Sequence, residues 1–282
     1  MKIRVAFQGE RGAFSEQAAR QLMGTRIEVI PCETFEKTFA CVGRGRADLC
    51  IVPVENTLAG SITRNLDLSL KHRFNIVGET NLRIEHHLVA LRGTTWREIN
   101  RIISHPVALE QCQKFLRRHP HIKSEVAYDT AGSVKMIVEH GWHDTAAIAG
   151  AWAAQWFRCG ILQKNIEDHH ENYTRFWLLE KGAAKRRSGG GSPWSGRKGN
   201  KSSIVFSTKN VPGALFKCLS VFALRDIDLT KIESRPVIGR PFEYFFYVDF
   251  LGNVAEERCQ NALRHLGEVT DFLRVLGCYP RG

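Results

Sequence analysis

Asn172-Tyr173-Thr174-Arg175-Phe176 gathers an amide, a hydroxyl, a guanidinium and aromatic rings into five consecutive residues. A threonine hydroxyl both donates and accepts hydrogen bonds, and an arginine fork suits carboxylates. The run that follows, Trp177-Leu178-Leu179, has the apolar character of a strand. The stretch therefore reads as a polar cluster at the mouth of a buried strand, fit to hold or polarise an anion. It also suits an ordinary strand entry, with Asn172 in a turn and Arg175 solvated.

Other polar groups sit where predicted strands end. Gly9-Glu10-Arg11-Gly12-Ala13-Phe14-Ser15 turns from a strand over 3–8 into a helix, which exposes backbone N–H groups at a helix start. A plain β–α turn explains the same residues, and no G-x-G-x-x-G or Walker motif points to a nucleotide. The apolar run Ala47–Val54 reads as a buried parallel strand, followed by Glu55-Asn56-Thr57 and by Gly60-Ser61 opening a helix. A strand over Arg101–Ser104 leads through His105-Pro106 into a helix with Leu109, Cys112 and Leu116 on its buried face. A strand over Glu125–Tyr128 leads to Asp129-Thr130, which caps the next helix. Polar residues at the carboxyl ends of strands are where open α/β sheets bind ligands.

The elements that position these groups alternate strand and helix up to about residue 180, which predicts a layered α/β architecture. After residue 201 the order is β-α-β-β-α-β, a ferredoxin-like arrangement and a second domain. Between them, 182–201 carries Gly189-Gly190-Gly191-Ser192-Pro193 among basic residues and is expected to be a flexible linker.

The chain has 282 residues, 43% hydrophobic and 24% charged, enough for two ordinary globular domains. No run matches a membrane span of about 20 apolar residues, and the N-terminus enters a strand almost at once, so a cytoplasmic location is expected. The eight cysteines form no C-x-x-C pair and read as buried, reduced side chains. The pairs His86-His87 and His169-His170 lack metal-ligand spacing, because neighbouring residues point apart. The net charge of +11 is concentrated in Lys185, Arg186, Arg187, Arg197, Lys198 and Lys201, so no specific nucleic acid is implied.

Taken together, the chain from about 3 to 279 resembles monofunctional prephenate dehydratases with a C-terminal ACT regulatory domain. Five blocks carry the likeness in the first part: Gly9-x-x-Gly12-Ala13-Phe14-Ser15; Pro53-Val54-Glu55-Asn56 with Gly60-Ser61; Ser104-His105-Pro106-x-Ala108-Leu109-x-Gln111-Cys112; Asp129-Thr130-Ala131; and Asn172-x-Thr174-Arg175-Phe176. In the second part Pro212-Gly213-Ala214-Leu215 and Glu233-Ser234-Arg235-Pro236 match the two effector motifs. Departures are Val107, where a polar residue is common, the charged Glu10-Arg11, and the long basic linker. No chorismate mutase segment is read ahead of the first block.

The resemblance implies a two-lobed catalytic domain over 1–181, laid out like a periplasmic binding protein. Lobe one would comprise about 1–80 and 160–181, and lobe two about 81–159. It implies conversion of prephenate to phenylpyruvate with loss of water and carbon dioxide, without cofactor or metal, in phenylalanine biosynthesis. Thr174 matches the family's essential threonine and is the expected proton donor to the departing hydroxyl. Ser15, Ser104, Thr130, Asn172, Arg175 and Phe176 are expected at the substrate, with Glu55 and Asn56 ordering the cleft. His105 is either a second titratable acid or a helix cap. L-phenylalanine is the expected effector, at Gly213, Ala214, Leu215, Glu233, Ser234, Arg235 and Pro236 of an ACT dimer interface, and a homodimer or homotetramer follows. Arogenate dehydration is the nearest rival reading; a non-catalytic amino-acid sensor is a remoter one.

Overall fold

A computed structural model describes residues 2–182 and 198–282. The first strand, β1 (Ile3–Gln8), buries Val5, Ala6 and Phe7 completely. Helix α1 (Phe14–Met23) follows the glycine turn and turns Ala18 and Ala19 inward. Strand β2 (Ile27–Cys32) leads to α2 (Phe35–Gly43), capped as its sequence predicts: Thr34 Oγ1 accepts from Lys37 N at 3.2 Å. Strand β3 (Leu49–Asn56) is apolar nearly throughout because both its faces are covered. Gly60-Ser61, expected to open a helix, instead forms a short strand, β4 (Gly60–Ser61), which turns back antiparallel onto Glu55 and Asn56. Helix α3 (Thr63–His72) and strand β5 (Phe74–Arg83) complete this stretch.

The chain then builds a second sheet from β6 (His87–Ala90), β7 (Arg101–Ser104), β8 (Lys123–Val126), β9 (Thr145–Ala149) and β10 (Gly160–Gln163). The helix expected to run from Pro106 past Leu116 is broken. It comprises α4 (Pro106–Glu110) and α5 (Gln113–Arg117), with Cys112 between them at φ −120° and fully buried. Helix α6 (Thr130–His140) starts at its Asp129 cap and ends at Gly141 in the left-handed region. Helix α7 (Ala151–Trp156) follows β9. The chain returns to the first sheet in β11 (Tyr173–Lys181).

The first sheet has the order β2-β1-β3-β11-β5, with β4 beside β3; the second is β10-β6-β9-β7-β8. Pairings β1–β2, β1–β3, β7–β8 and β7–β9 are parallel, whereas β6 meets β9 and β10 antiparallel. Leu88, Ile102, Cys112, Ala146 and Ile148 lie in the core of the second sheet's layer. The chain thus passes between sheets after Arg83 and returns before Tyr173; the expected return near 160 comes later, since Gly160–Gln163 still belongs to the second sheet.

Contacts group the described chain into two compact units: Met1–His72 with Thr80–Trp177, and Arg73–Glu79 with Leu178–Gly282. Boundaries read from sequence at 181 and 202 are displaced, because 73–79 and 178–181 group with the C-terminal part. The C-terminal part comprises β12 (Lys201–Ser207), α8 (Ala214–Ala223), β13 (Leu229–Pro236), β14 (Tyr244–Leu251), α9 (Glu257–Val269) and β15 (Phe272–Tyr279). Its sheet, β13-β14-β12-β15, is antiparallel throughout, with Phe206, Val221, Phe222, Val248 and Phe250 in the core. This is the β-α-β-β-α-β order expected.

Lys201 is corrected from linker to strand. It opens β12, is buried, and its Nζ lies 2.8 and 2.9 Å from the two oxygens of Glu79 and 4.0 Å from Asp249 Oδ2. Its place beside two buried carboxylates explains why this lysine is not solvated with its neighbours in sequence. The rest of the predicted linker, 183–197, lies outside the described residues.

Candidate active site

The turn into α1 is held by one carboxylate. Glu16 is fully buried; it accepts from Gly12 N at 3.0 Å, from Arg11 at 3.0 and 3.1 Å, and from Arg20 Nε at 2.9 Å. Burial alone pushes its carboxyl up, but the Arg11, Gly12 and Arg20 hydrogen bonds outweigh that and hold it below its ordinary range. A depressed folded pKa gives stability that is present above the unfolded value and lost as pH falls through the folded one. Glu16→Gln is therefore expected to cost about 2 kcal/mol at neutral pH and to flatten the loss of stability below about pH 4. Urea melts of both proteins across that range check it; parallel curves would remove Glu16 from the account.

The charged Glu10-Arg11 pair, unusual by resemblance, also has partners. Glu10 accepts from Tyr128 Oη at 3.2 Å and from Lys135 Nζ at 3.1 Å, both from the second sheet's layer. Arg11 stacks 3.8 Å above the Trp156 ring. Gly9 is required by two constraints: φ is +116°, and a Cβ there would stand 2.7 Å from Asp129 Oδ2. The turn that carries Ser15 is thereby pressed against the start of α6. Ser15 is buried in the first turn of α1, whose N-cap, Ala13, gives no side-chain hydrogen bond.

Thr174 stands at the centre of a second constellation, where β3 ends beside the beginning of β11. Asn56 Nδ2 donates to Asn172 Oδ1 at 2.8 Å, to Thr174 Oγ1 at 2.9 Å and to the Tyr173 carbonyl at 3.1 Å. Asn56 Oδ1 accepts from the backbone of Leu58 at 3.0 Å and Ala59 at 2.8 Å. Asn172 Nδ2 donates to Gln111 Oε1 at 2.9 Å, and His86 Nε2 lies 3.0 Å from that same oxygen. Asn56, Asn172 and Thr174 are all buried. Among the described residues no acceptor takes the Thr174 hydroxyl proton. Thr174 is thus polarised as an acceptor while its donor is unspent.

Arg175 is placed differently from the expectation. Side chains alternate along a strand, so Thr174 and Phe176 share one face of β11 and Arg175 and Trp177 the other. Arg175 Nε lies 3.8 Å from Glu55 Oε2, and its Cζ lies 5.8 Å from the Trp177 ring. Glu55 and Arg175 therefore engage each other on the side away from Thr174. Phe176 is 2% exposed, buried on the face of β11 that Thr174 shares.

The Ser104-His105-Pro106 segment is corrected likewise. Ser104 is fully buried and its hydroxyl donates to the Ile148 carbonyl at 2.6 Å, tying β7 to β9. His105 is the cap of α4: its Nδ1 accepts from Val107 N at 3.3 Å. The helix-cap reading of that histidine is the one the geometry supports. Val107 is exposed at the start of the same helix.

Thr130 is the first residue of α6 and half-buried. Its neighbour Asp129 went unlisted among the expected site residues, yet it is buried, accepts from Gly132 N at 3.0 Å, and faces Gly9. Burial raises its pKa against the pull of the α6 amides. Gln111 and His86 were missed as well. Gln111 stood inside a recognised block, but His86 carries no local signature. The adjacent histidines diverge as expected, since His87 Nδ1 accepts from Asn165 N at 3.1 Å.

In the C-terminal unit, Gly213, Ala214 and Leu215 line a pocket of about 270 Å³ with Phe242, Tyr244 and Phe246. Gly213 sits at φ +77° as the N-cap of α8, with open space around its Cα, so backbone conformation requires it. Glu233, Ser234, Arg235 and Pro236 do not line this pocket; they lie on β13, which forms one edge of the sheet, in register with Tyr247 to Tyr244 of β14. Ser234 and Pro236 are exposed there, as is Ile232 at 48%.

Comparison with known proteins fits these observations. A sequence model of the prephenate dehydratase family matches residues 5–184. Arogenate dehydratase/prephenate dehydratase 2, chloroplastic, of Arabidopsis thaliana is 44% identical over 288 residues, covering 99% of this chain and 73% of that protein. The structure of prephenate dehydratase from Arthrobacter aurescens in complex with L-Phe superposes with TM-score 0.86 at 31% identity, covering 99% of this chain and 90% of the other. A structure described as GqqA, a novel type of quorum quenching acylase, has TM-score 0.87 at 33% identity, covering 99% and 98%.

Proposed function

The chain belongs to the prephenate dehydratase family of carbon–oxygen lyases, and we propose that it removes water and carbon dioxide from prephenate to give phenylpyruvate, with Thr174 as the donor to the leaving hydroxyl. The observation that carries this reading is the Thr174 hydroxyl, polarised by Asn56 at 2.9 Å with its own proton uncommitted. The ring C–O bond breaks with both electrons on the departing oxygen, which the Thr174 hydroxyl meets as a hydrogen-bond donor and which takes its proton from solvent to leave as water. The C–C bond to the ring carboxylate breaks with it, and its electrons complete the aromatic ring. Aromatisation drives the reaction, so the protein need only orient the dianion and meet the developing hydroxide. A threonine is a weak acid, which makes an oriented hydrogen bond in the transition state its natural contribution.

The first turn of α1, with Ser15, is the proposed seat for one carboxylate, since helix starts favour anions. The Glu55–Arg175 pair is proposed to order the strand ends from the opposite face. The amide chain around Thr174 suits arogenate equally, and the Arabidopsis relative is named for both substrates.

We further propose that the C-terminal unit is an ACT regulatory domain that binds L-phenylalanine. The support is its β-α-β-β-α-β order, the aromatic-walled pocket at Gly213, and the Arthrobacter structure, which holds L-Phe. The exposed residues of β13, together with Phe216 of α8 and Leu224 just after it, at 75% and 77% exposure, are the proposed face for a second copy, in a homodimer or homotetramer. No helix among the described residues is long and apolar enough to cross a membrane.

The decisive assay supplies prephenate and arogenate separately, each with and without L-phenylalanine. Phenylpyruvate formed from prephenate and suppressed by phenylalanine is the expected result. Preference for arogenate would move the enzyme to the aminated substrate with the same chemistry. Silence on both would overturn the catalytic reading. Full phenylalanine sensitivity in a Ser234→Ala variant, or in an Arg235→Ala variant, would place the effector elsewhere.

A further inference from the structure

We propose that His86, acting through Gln111, is a positioning residue for the dehydration: it anchors the far end of a buried amide chain whose direction leaves the Thr174 proton free for the substrate. The proposal rests on the reading of Thr174 as the donor.

The argument starts from groups whose roles cannot be reversed. Backbone N–H groups only donate, so Leu58 and Ala59 fix Asn56 Oδ1 as an acceptor. Carbonyls only accept, so Tyr173 fixes Asn56 Nδ2 as a donor. Asn172 Oδ1, 2.8 Å from that nitrogen, must accept, and Asn172 Nδ2 is left to donate to Gln111 Oε1. Gln111 Oε1 is then an acceptor on both sides. The ring nitrogen 3.0 Å away, His86 Nε2, must therefore carry a hydrogen. Gln111 Nε2 faces Asn56 Oδ1 at 3.5 Å, which agrees with this direction.

An amide has two nearly isosteric orientations, and the loop after Asn56 sets the direction of this chain from one end. His86 holds the other end in place by donating to Gln111 in the same direction. Its ring is 2% exposed and meets Phe14 edge-on at 5.8 Å, and its backbone N–H donates to Glu167 Oε2 at 3.0 Å. Burial lowers the imidazole pKa, which keeps the ring neutral with its single hydrogen on Nε2. His86 Nδ1 has no hydrogen-bond partner among the described residues, as this tautomer requires. If the His86 donor is lost, Gln111 Oε1 keeps only the Asn172 donor, and the Gln111 amide is held otherwise only by its 3.5 Å approach to Asn56 Oδ1. Gln111 is then free to move, and Asn172, Asn56 and the Thr174 hydroxyl are held less firmly in place.

His86→Leu removes the donor; His86→Gln places an amide N–H near the position of Nε2. The expected result for His86→Leu is a fall of about 10- to 100-fold in kcat, with KM within about threefold. His86→Gln is expected to turn over at least about tenfold faster than His86→Leu, at matched thermal stability. In a double-mutant cycle, His86→Leu adds no further loss to Gln111→Leu. Nitrogen-15 spectra of the unmodified protein should show His86 protonated at Nε2 and bare at Nδ1, whether or not the chain turns over. Wild-type kcat in His86→Leu, His86→Gln as slow as His86→Leu, additive losses in the cycle, or an Nδ1–H tautomer would each overturn the proposal. An inactive wild type, or an active Thr174→Val, would instead overturn the reading it rests on, and the spectra would still decide the tautomer.

Discussion

Thr174→Val is expected to fold as the wild type does and to lose about 100- to 1,000-fold in kcat, as removal of one preorganised donor typically does. Valine keeps the shape of threonine, so the cavity is unchanged. Asn56 Nδ2 keeps two acceptors, Asn172 Oδ1 and the Tyr173 carbonyl. The stability lost is about 1 kcal/mol, for one hydrogen bond. KM changes little, because the missing bond strengthens only as the hydroxyl departs. Thr174→Ser keeps the hydroxyl and is expected to keep most of the activity. Steady-state rates of phenylpyruvate formation with prephenate test this. Turnover near the wild-type rate in the valine variant would remove Thr174 from the chemistry.

Lys201→Met is expected to destabilise the C-terminal unit by about 3–5 kcal/mol, the range for breaking a buried ion pair from one side. The ammonium lies within 3 Å of both Glu79 oxygens, at 2.8 and 2.9 Å, and 4.0 Å from Asp249. Glu79 and Asp249 are each 2% exposed. Asp249 has a further partner, since its Oδ1 accepts from Ser203 at 2.5 Å, and Ser203 also meets Tyr279 Oη at 2.5 Å. Glu79 receives the lysine on both oxygens, and Gly282 N approaches it at 3.3 Å. Adding Glu79→Gln to Lys201→Met removes one stranded charge and is expected to recover about half of the loss. Denaturant unfolding followed in the single and double variants measures both effects. A single variant as stable as the wild type would show that the lysine is not the counter-ion that the geometry makes it.

Much of the fold is legible in the chain because it follows from local rules. The apolar run Leu49–Val54 predicted a strand buried on both faces, and β3 pairs parallel with β1. Thr34 and Asp129 predicted helix starts, and both cap through the bonds their side chains can make. Local rules fail where tertiary contacts intervene. Gly60-Ser61 became a strand by pairing back onto Glu55 and Asn56 at the end of β3. The helix through Cys112 broke where that side chain entered the core and Gln111 turned to Asn172. Lys201 left its basic neighbours because two buried carboxylates required a cation.

The site divides in the same way. The sequence by itself determined which residue types stand at the strand ends: Ser15 after its glycine turn, Asn56 after β3, and Thr174 between Asn172 and Arg175. Tertiary structure alone decided which of them act together. Asn56 and Thr174 are 118 residues apart, Gln111 and Asn172 61, and His86 and Gln111 25, so no local pattern joins them. Strand alternation then separated Arg175 from Thr174, packing turned Phe176 inward, and the Ile148 carbonyl claimed Ser104. The physical reason is that a hydrogen-bond direction is set by the partner, and a sequence names the donors and acceptors without saying which of them will meet.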